Sequence, residues 1–325
     1  MRVLLTGATG FIGAQVLNCL IEEGCAMTAL VEPETQSQLA HRPQLKVVLG
    51  RLSDRKALAQ ATKGVELVLH VAGKILGRPA ADLMEVNIRG TENLLGACVA
   101  SGVRRFVFVS SAAVYRPALS RAQLPITEAS PLGPAGSAAF RNYGKSKIEA
   151  ERLVLECHQS HGLEYSIVRP TTAYGPSHTP ESMEEFLRKI LRNANLVLAG
   201  QQRWLNMQWV YVVDAANAIV RAGISPAGRN QVFTIAGAEL FDLPTLAKTM
   251  LDILWPALQI RLPNLSLTPM HSSHLVFDIG KAQRMIGYRP KIDLRTGLSR
   301  LLEDMGRNGK LPLPFSRGRN AEFCA

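Results

Sequence analysis

Met1-Arg-Val-Leu-Leu-Thr-Gly-Ala-Thr-Gly-Phe-Ile-Gly13 decides the fold. Val3, Leu4 and Leu5 form an apolar run with no room for an amphipathic helix before the glycines, so they read as a buried parallel strand. Gly7, Gly10 and Gly13 then fall three apart, and Ile12, Val16, Leu20 and Ile21 keep helical spacing behind them until Gly24 ends the run. Strand, glycine turn and helix are the opening of a dinucleotide-binding unit. Gly7 allows the tight turn, Gly10 lets the backbone approach a pyrophosphate, Gly13 lets the helix pack close to the strand, and free N–H groups at the helix start attract the anion. The spacing is G-x-x-G-x-x-G and not G-x-G-x-x-G, so the reading rests on the motif's place between a strand and a helix.

Working outward, Met27 to Val31 make a second strand that ends in Glu32-Pro33. An acidic side chain just past this strand hydrogen-bonds a ribose 2'-hydroxyl and repels a 2'-phosphate, which favours NAD. Arg42, Arg51 and Arg55 are near enough to hold a phosphate, and they keep NADP open. Lys46 to Leu49 read as a third strand, and Asp54 caps a helix running through Leu58. Val65 to Val71 form a fourth strand leading into Ala72-Gly73, small residues that let a ligand lie close to the backbone. A helix from about Leu83 to Ser101 carries Asn87, and a fifth strand, Arg105 to Val109, ends in Ser110-Ser111. This βαβαβ alternation predicts an α/β fold: a doubly wound, Rossmann-like parallel sheet with its ligand at the strands' carboxyl ends.

Tyr115 to Arg141 is rich in Pro, Gly, Ala and Ser and reads as a long loop. A helix through Tyr143-Gly-Lys-Ser-Lys147 follows, continuing to about His158, and Tyr165 to Val168 is a sixth strand closed by Arg169-Pro170. Shorter elements come next: a helix near Glu181 to Asn193, a strand near Trp209 to Val213, a helix from Asp214 to Ala222, a strand near Val232 to Ile235 and a helix from Pro244 to Leu254. The expected organisation is a dinucleotide-binding domain over 1–170, rejoined by 208–237, a substrate lobe over 171–207 and 238–312, and a loose tail over 313–325.

With 325 residues, 47% of them hydrophobic, the chain can bury a packed core. Its net charge of +11 comes from Lys and Arg spread along the sequence without a nucleic-acid-binding motif, and the surplus instead favours anionic ligands. No apolar run reaches the length of a membrane span, and the first segment lacks the pattern of a signal peptide, so the expected location is the cytoplasm. Cys19, Cys25, Cys98, Cys157 and Cys324 are scattered, as are the histidines, which indicates neither a disulfide framework nor a metal site.

Tyr143 and Lys147 stand four apart, on one helix face. An ammonium near a phenol favours the phenolate, and a serine at a strand end, Ser110 or Ser111, can hold a carbonyl or alcohol oxygen. Such a tyrosine passes a proton while a nicotinamide passes a hydride, which suffices to interconvert an alcohol and a ketone.

Thr6-Gly-Ala-Thr-Gly-Phe-Ile-Gly13, His70-Val-Ala-Gly73, Val86-Asn-Ile-Arg-Gly-Thr91, Ser110-Ser-Ala-Ala-Val-Tyr115, Tyr143-Gly-Lys-Ser-Lys147, Arg169-Pro170 with Tyr174-Gly-Pro176, Val210-Tyr-Val-Val-Asp214 and Gly287-Tyr-Arg-Pro290 with Gly297-Leu298 occur in that order. In them the chain resembles the extended short-chain dehydrogenase/reductase family, also called the epimerase/dehydratase family. The resemblance implies Tyr143 as general acid/base, Lys147 as its pKa-lowering partner and ribose ligand, Ser111 as ligand of the substrate oxygen, and Asn87 beside them. It also implies cofactor contacts from Gly7, Thr9, Gly10, Phe11, Ile12 and Gly13, from Glu32, from Leu52 next to the adenine, and from Ala72, Gly73, Tyr143 and Lys147. Two positions depart from the family pattern: Arg51 replaces an adenine-contacting aspartate, and Arg116 stands where glycine often follows Val-Tyr.

Ala112 and Ala113 occupy the positions at which nucleotide-sugar dehydratases of the family carry an Asp-Glu pair, which turns the expectation away from elimination. Asn206-Met-Gln-Trp209, with Arg203 upstream, resembles the sterol dehydrogenase and ketone reductase branches. The expected activity is therefore hydride transfer between a nicotinamide cofactor and a ketone or secondary alcohol of a small or moderately apolar metabolite, with Tyr174, Met207, Trp204 and Met270 lining its site. The alternatives are a nucleotide-sugar 4-epimerase with tightly held NAD and a non-catalytic nucleotide-binding regulator. A homodimer through the helices carrying Asn87 and Tyr143 stays open.

Overall fold

A computed structural model describes residues 1–39, 42, 44–75, 79–117, 125–134, 136–177, 179–198, 206–255 and 275–311. The amino-terminal half alternates strands and helices: β1 (Arg2–Thr6), α1 (Phe11–Glu22), β2 (Ala26–Val31), β3 (Leu45–Leu49), α2 (Arg55–Thr62) and β4 (Leu67–His70). A helical run then comprises α3 (Ala80–Leu83), a π-helical turn (Met84–Arg89) and α4 (Gly90–Ala100), followed by β5 (Arg105–Val109), α5 (Ala138–His161) and β6 (Glu164–Pro170). Beyond them lie β7 (Ala173–Tyr174), α6 (Glu181–Arg192), α7 (Ala194–Leu198), β8 (Val210–Tyr211), α8 (Val212–Ile224), β9 (Gln231–Ile235), α9 (Leu243–Leu254), α10 (Gly280–Ile286) and α11 (Leu294–Arg307).

Seven strands form one parallel sheet in the order β3-β2-β1-β4-β5-β6-β9. The order reverses on either side of β1, and the crevice at that reversal is where ligands of such sheets bind. The two-residue period of a strand explains why β1 is apolar throughout. Val3 and Leu5 pack on one face with Val16 and Leu20 of α1 and Ile219 of α8. Leu4 packs on the other with Leu58 of α2, Leu94 of α4 and Val154 of α5. A third core, built around Tyr174, Leu187, Trp209, Leu246 and Leu298, belongs to the elements after β6.

Several boundaries differ from the sequence reading. Helix α5 starts at Ala138 rather than near Tyr143, because the Ser137 hydroxyl at the end of the Pro- and Gly-rich run accepts the Phe140 N–H at 3.3 Å. The strand expected over Trp209 to Val213 is only Val210–Tyr211. Its partner β7 ends at Tyr174, and the next residue, Gly175, turns the chain away before Pro176 at a φ of +145°, so the ladder stops at Tyr211 and Val212 already begins α8. Tyr174, expected at the substrate, is a core residue at 2% exposure, packed against Trp209 and Tyr211. Met207 bridges to Phe241 at the edge of the same core, and Trp204 and Met270 lie outside the described residues. Asp54 caps α2 as expected, accepting the N–H groups of Lys56 and Ala57 at 3.0 and 3.1 Å.

Asp214 ties the carboxyl-terminal segment to the fold. Its buried carboxylate accepts the backbone N–H groups of Lys291 and Ile292 at 2.9 and 3.1 Å, just ahead of α11. Replacing it with alanine strands both donors, and Asp214→Ala is expected to cost about 3 kcal/mol of stability in urea denaturation; a loss below about 0.5 kcal/mol would show that water replaces the carboxylate freely.

Candidate active site

The glycine loop owes its shape to how little space surrounds it. Gly7 adopts φ +77°, and a Cβ there would lie 2.6 Å from the Ala72 nitrogen; one on Gly13 would lie 1.8 Å from the Gly7 carbonyl oxygen. These two glycines let β1, the end of β4 and α1 meet. Gly10 is exposed and begins α1 without a side-chain cap, so the first N–H groups of that helix are left for a ligand. Thr9 donates to Thr35 Oγ1 at 3.2 Å, and Thr35 donates to the Glu32 carbonyl, which fixes the loop to the turn after β2. Leu52 packs on Gly90, at the junction of the π turn and α4.

At the ends of β1 and β4 a chain of hydrogen bonds has only one consistent direction. The Ala72 N–H donates to Thr6 Oγ1 at 3.3 Å, leaving the Thr6 hydroxyl to donate to His70 Nδ1 at 2.8 Å. On the far side Thr91 donates to the Asn87 carbonyl at 2.7 Å, so it accepts from His70 Nε2 at 3.0 Å. His70 therefore carries its proton on Nε2. Complete burial, with the nearby charge of Lys147, pushes its pKa down to about 3 and keeps the ring neutral. This relay links the glycine loop to the π turn that carries Asn87.

Asn87 is buried, and its amide is fully engaged. Oδ1 accepts the Lys74 N–H at 2.8 Å, and Nδ2 donates to the Lys74 carbonyl and to Ser146 Oγ, both at 3.0 Å. Ser146 in turn donates to the Tyr143 carbonyl at 2.7 Å. The π turn, a distortion that often marks functional helices, supplies the face on which Asn87 reaches both partners.

Tyr143, Lys147 and Glu151 descend one face of α5 at successive turns. The phenol of Tyr143 is hydrogen-bonded to the Ser111 hydroxyl, which also accepts the Ala113 N–H at 3.1 Å. Desolvation holds this phenol above its ordinary range, with the Ser111 bond pulling the other way. A phenol lowered by Lys147 is thus not the state of the free chain, because the Lys147 ammonium donates to the Val109 carbonyl at 2.9 Å and lies 5.0 Å from the Phe108 ring centre. Burial pushes Lys147 down to about 8, while Glu151 acts to raise it. Gly73 completes the enclosure: a Cβ there would stand 3.1 Å from Asn87 Oδ1 and 3.2 Å from Lys147 Nζ.

Ser110, the serine not chosen, points into the protein and donates to Glu151 Oε1 at 2.5 Å. Arg169 grips the same carboxylate through Nε at 2.9 Å and Nη2 at 2.6 Å, with both side chains of the pair buried. The guanidinium lies on the Tyr115 ring, whose hydroxyl meets Thr234 Oγ1 at 2.6 Å. Four elements, α5, β5, β6 and β9, are joined beneath the site in this way. Arg169 stands in the sequence only as part of the Arg169-Pro170 motif and Glu151 carries no motif of its own; the signal that points to Glu151 is its helical register with Tyr143 and Lys147.

The family model described as the NAD dependent epimerase/dehydratase family matches residues 3–236. The chain is similar to the putative UDP-glucose 4-epimerase of Methanocaldococcus jannaschii, at 27% identity over 95% of this chain and 99% of that protein. It is similar also to a 4-hydroxy-2-methyl-3-oxo-4-farnesyl-3,4-dihydroquinoline-1-oxide ketoreductase of Stigmatella aurantiaca, at 26% identity over 97% of this chain and 99% of that one. Among solved structures, UDP-glucuronic acid 4-epimerase from Bacillus cereus in complex with NAD shares the fold, with a TM-score of 0.76 and 20% identity over 98% of this chain and 100% of that one. The chain belongs to the NAD dependent epimerase/dehydratase family. It is an oxidoreductase of that family, with NAD as its cofactor. The residues fit the cofactor: the amino terminus of α1 stands uncapped at the exposed Gly10, and Gly7 and Gly13 let it sit against the ends of β1 and β4, where an anionic dinucleotide would meet free N–H groups. No helix among the described residues is long and apolar enough to cross a membrane.

The lowered Lys147 pKa has a sign that can be checked. Between pH 8 and the ordinary lysine value the unfolded chain binds more protons than the folded one, so stability rises with pH across that window and is flat below it. Measured by urea denaturation against Lys147→Met, the wild-type chain is expected to gain up to about 3 kcal/mol from pH 8 to pH 10.5. An unchanging difference would mean that the ammonium is hydrated.

Proposed function

We propose that the chain transfers a hydride between NAD and a ketone or secondary alcohol of a small or moderately apolar metabolite. The observation carrying this reading is the placing of the Tyr143 phenol beside the Ser111 hydroxyl, one helical turn from the buried Lys147. Bound there, NAD supplies or takes the hydride. Ser111 holds the substrate oxygen, and the Tyr143 hydroxyl gives it a proton in reduction and takes one in oxidation. Lys147, once its ammonium turns from the Val109 carbonyl towards the crevice, favours the phenolate that remains. Asn87 acts by position: with every amide group engaged, it holds Lys74 and Ser146 in place and with them the first turn of the Tyr143 face. In this reading 1–170, rejoined by 208–237, carries the cofactor, and 171–207 with 238–312 carries the substrate.

Simple redox chemistry is favoured over elimination because Ala112 and Ala113 open the short helical turn after Ser111 and offer no second acid or base. The similarity to a ketoreductase along nearly the whole chain supports the same side. A second reading, 4-epimerisation of a nucleotide sugar, is supported by the equally extensive similarity to a putative UDP-glucose 4-epimerase. The two differ in cofactor retention: an epimerase oxidises and re-reduces one carbon without releasing NAD, so nucleotide would survive purification.

Tyr143→Phe removes the proton and little else. Turnover of a ketone panel with NADH is expected to fall by at least about 100-fold, with NADH affinity unchanged in a fluorescence titration. Wild-type turnover in that variant would remove Tyr143 from the reaction.

A further inference from the structure

Arg51 departs from the family pattern at the adenosine end of the crevice, and the structure gives it a partner there. Its Nη2 donates to Glu34 Oε1 at 2.5 Å. Glu34 belongs to the short 3-10 turn Pro33–Gln38 directly after Glu32, and Arg51 follows Gly50, whose N–H donates to the Val31 carbonyl at 3.0 Å. The ion pair therefore spans the carboxyl ends of β2 and β3. Thr35, the neighbour of Glu34, is the residue that Thr9 of the glycine loop touches, so the pair stands at the edge of the dinucleotide crevice. Both side chains are more than half exposed, at 54% and 60%, and a nucleotide can reach them without the fold opening. Arg42 is engaged elsewhere, donating to Asn18 Oδ1 on α1 at 2.9 Å.

We propose that Glu34 is a determinant of cofactor choice, acting by holding Arg51 in an ion pair that a 2'-phosphate would have to break. An arginine beside the adenosine ribose is the usual means of accepting the phosphate of NADP. Here the guanidinium already has a carboxylate partner, and Glu32 and Glu34 place two acidic residues at the same strand end. NAD, with a plain 2'-hydroxyl, meets neither obstacle. Arg51 is thereby a latent phosphate ligand kept from that role by a residue seventeen positions earlier. The proposal rests on the crevice being the dinucleotide site.

The test is fluorescence titration of the full chain with NADH and with NADPH, for wild type, Glu34→Gln, Arg51→Ala and the double variant. Wild type is expected to prefer NADH. Glu34→Gln is expected to shift the ratio of dissociation constants roughly tenfold towards NADPH while moving that for NADH by less than about threefold, and adding Arg51→Ala is expected to erase the shift. An unchanged ratio in Glu34→Gln overturns the proposal, as does a shift that persists in the double variant, which would reflect charge removal alone. A wild-type preference for NADPH also overturns it. Binding of neither nucleotide by wild type would instead bring down the dinucleotide reading of the crevice, and the proposal with it.

Discussion

A lysine ammonium held out of water is the constraint around which this protein is arranged. Lys147 is 5% exposed, beneath the crevice, with one hydrogen bond to the Val109 carbonyl and the Phe108 ring beside it. An ammonium so placed tends to lose its proton. Glu151, one helical turn further on, opposes that tendency, but a carboxylate buried there needs its own compensation. Arg169 provides it with two hydrogen bonds and Ser110 with a third. Two cations and one anion thus share the space beneath the site, which fixes how α5 sits against the ends of β5 and β6.

The same interlocking extends to the cofactor side. His70 is an uncharged link between β1 and the helical run that carries Asn87, and Asn87 in turn holds Ser146 one turn from Tyr143. Gly7 and Gly73 have no side chains because Ala72 in one case and Asn87 with Lys147 in the other occupy the space a Cβ would need. The glycine loop and the face of α5 that carries Tyr143 and Lys147 are therefore joined through a few buried polar groups at the strands' carboxyl ends. A change at His70 or Asn87 reaches both.

Much of this was legible in the sequence because local rules govern it. The apolar strands, the glycine turn, the Asp54 cap and the i, i+4 placement of Tyr143 and Lys147 depend on residues near one another in the chain. What was missed depends on distant partners. The Glu151–Arg169 pair exists only once β6 lies beside β5, and the role of His70 requires Thr6 and Thr91 to arrive from two other elements. The early start of α5 turned on one serine in a stretch whose composition otherwise signalled loop, and the short β8 on where its partner strand ended. Tyr174 was misplaced because an aromatic beyond a strand end looks the same in sequence whether it lines a crevice or fills the core of the neighbouring lobe. The protonation picture also changed. Lys147 and Tyr143 share a face, yet in the free chain the ammonium serves the backbone and the phenol serves Ser111.

In the proposed reading a dinucleotide lies with its pyrophosphate at the start of α1 and its nicotinamide end at Lys147 and Tyr143. A crystal structure of the full chain grown with NAD tests it most directly. The expected complex has the pyrophosphate against the exposed Gly10 and the nicotinamide ribose beside Lys147, with the ammonium moved off the Val109 carbonyl. A dinucleotide bound in the opposite sense, or bound away from Tyr143 altogether, would contradict it.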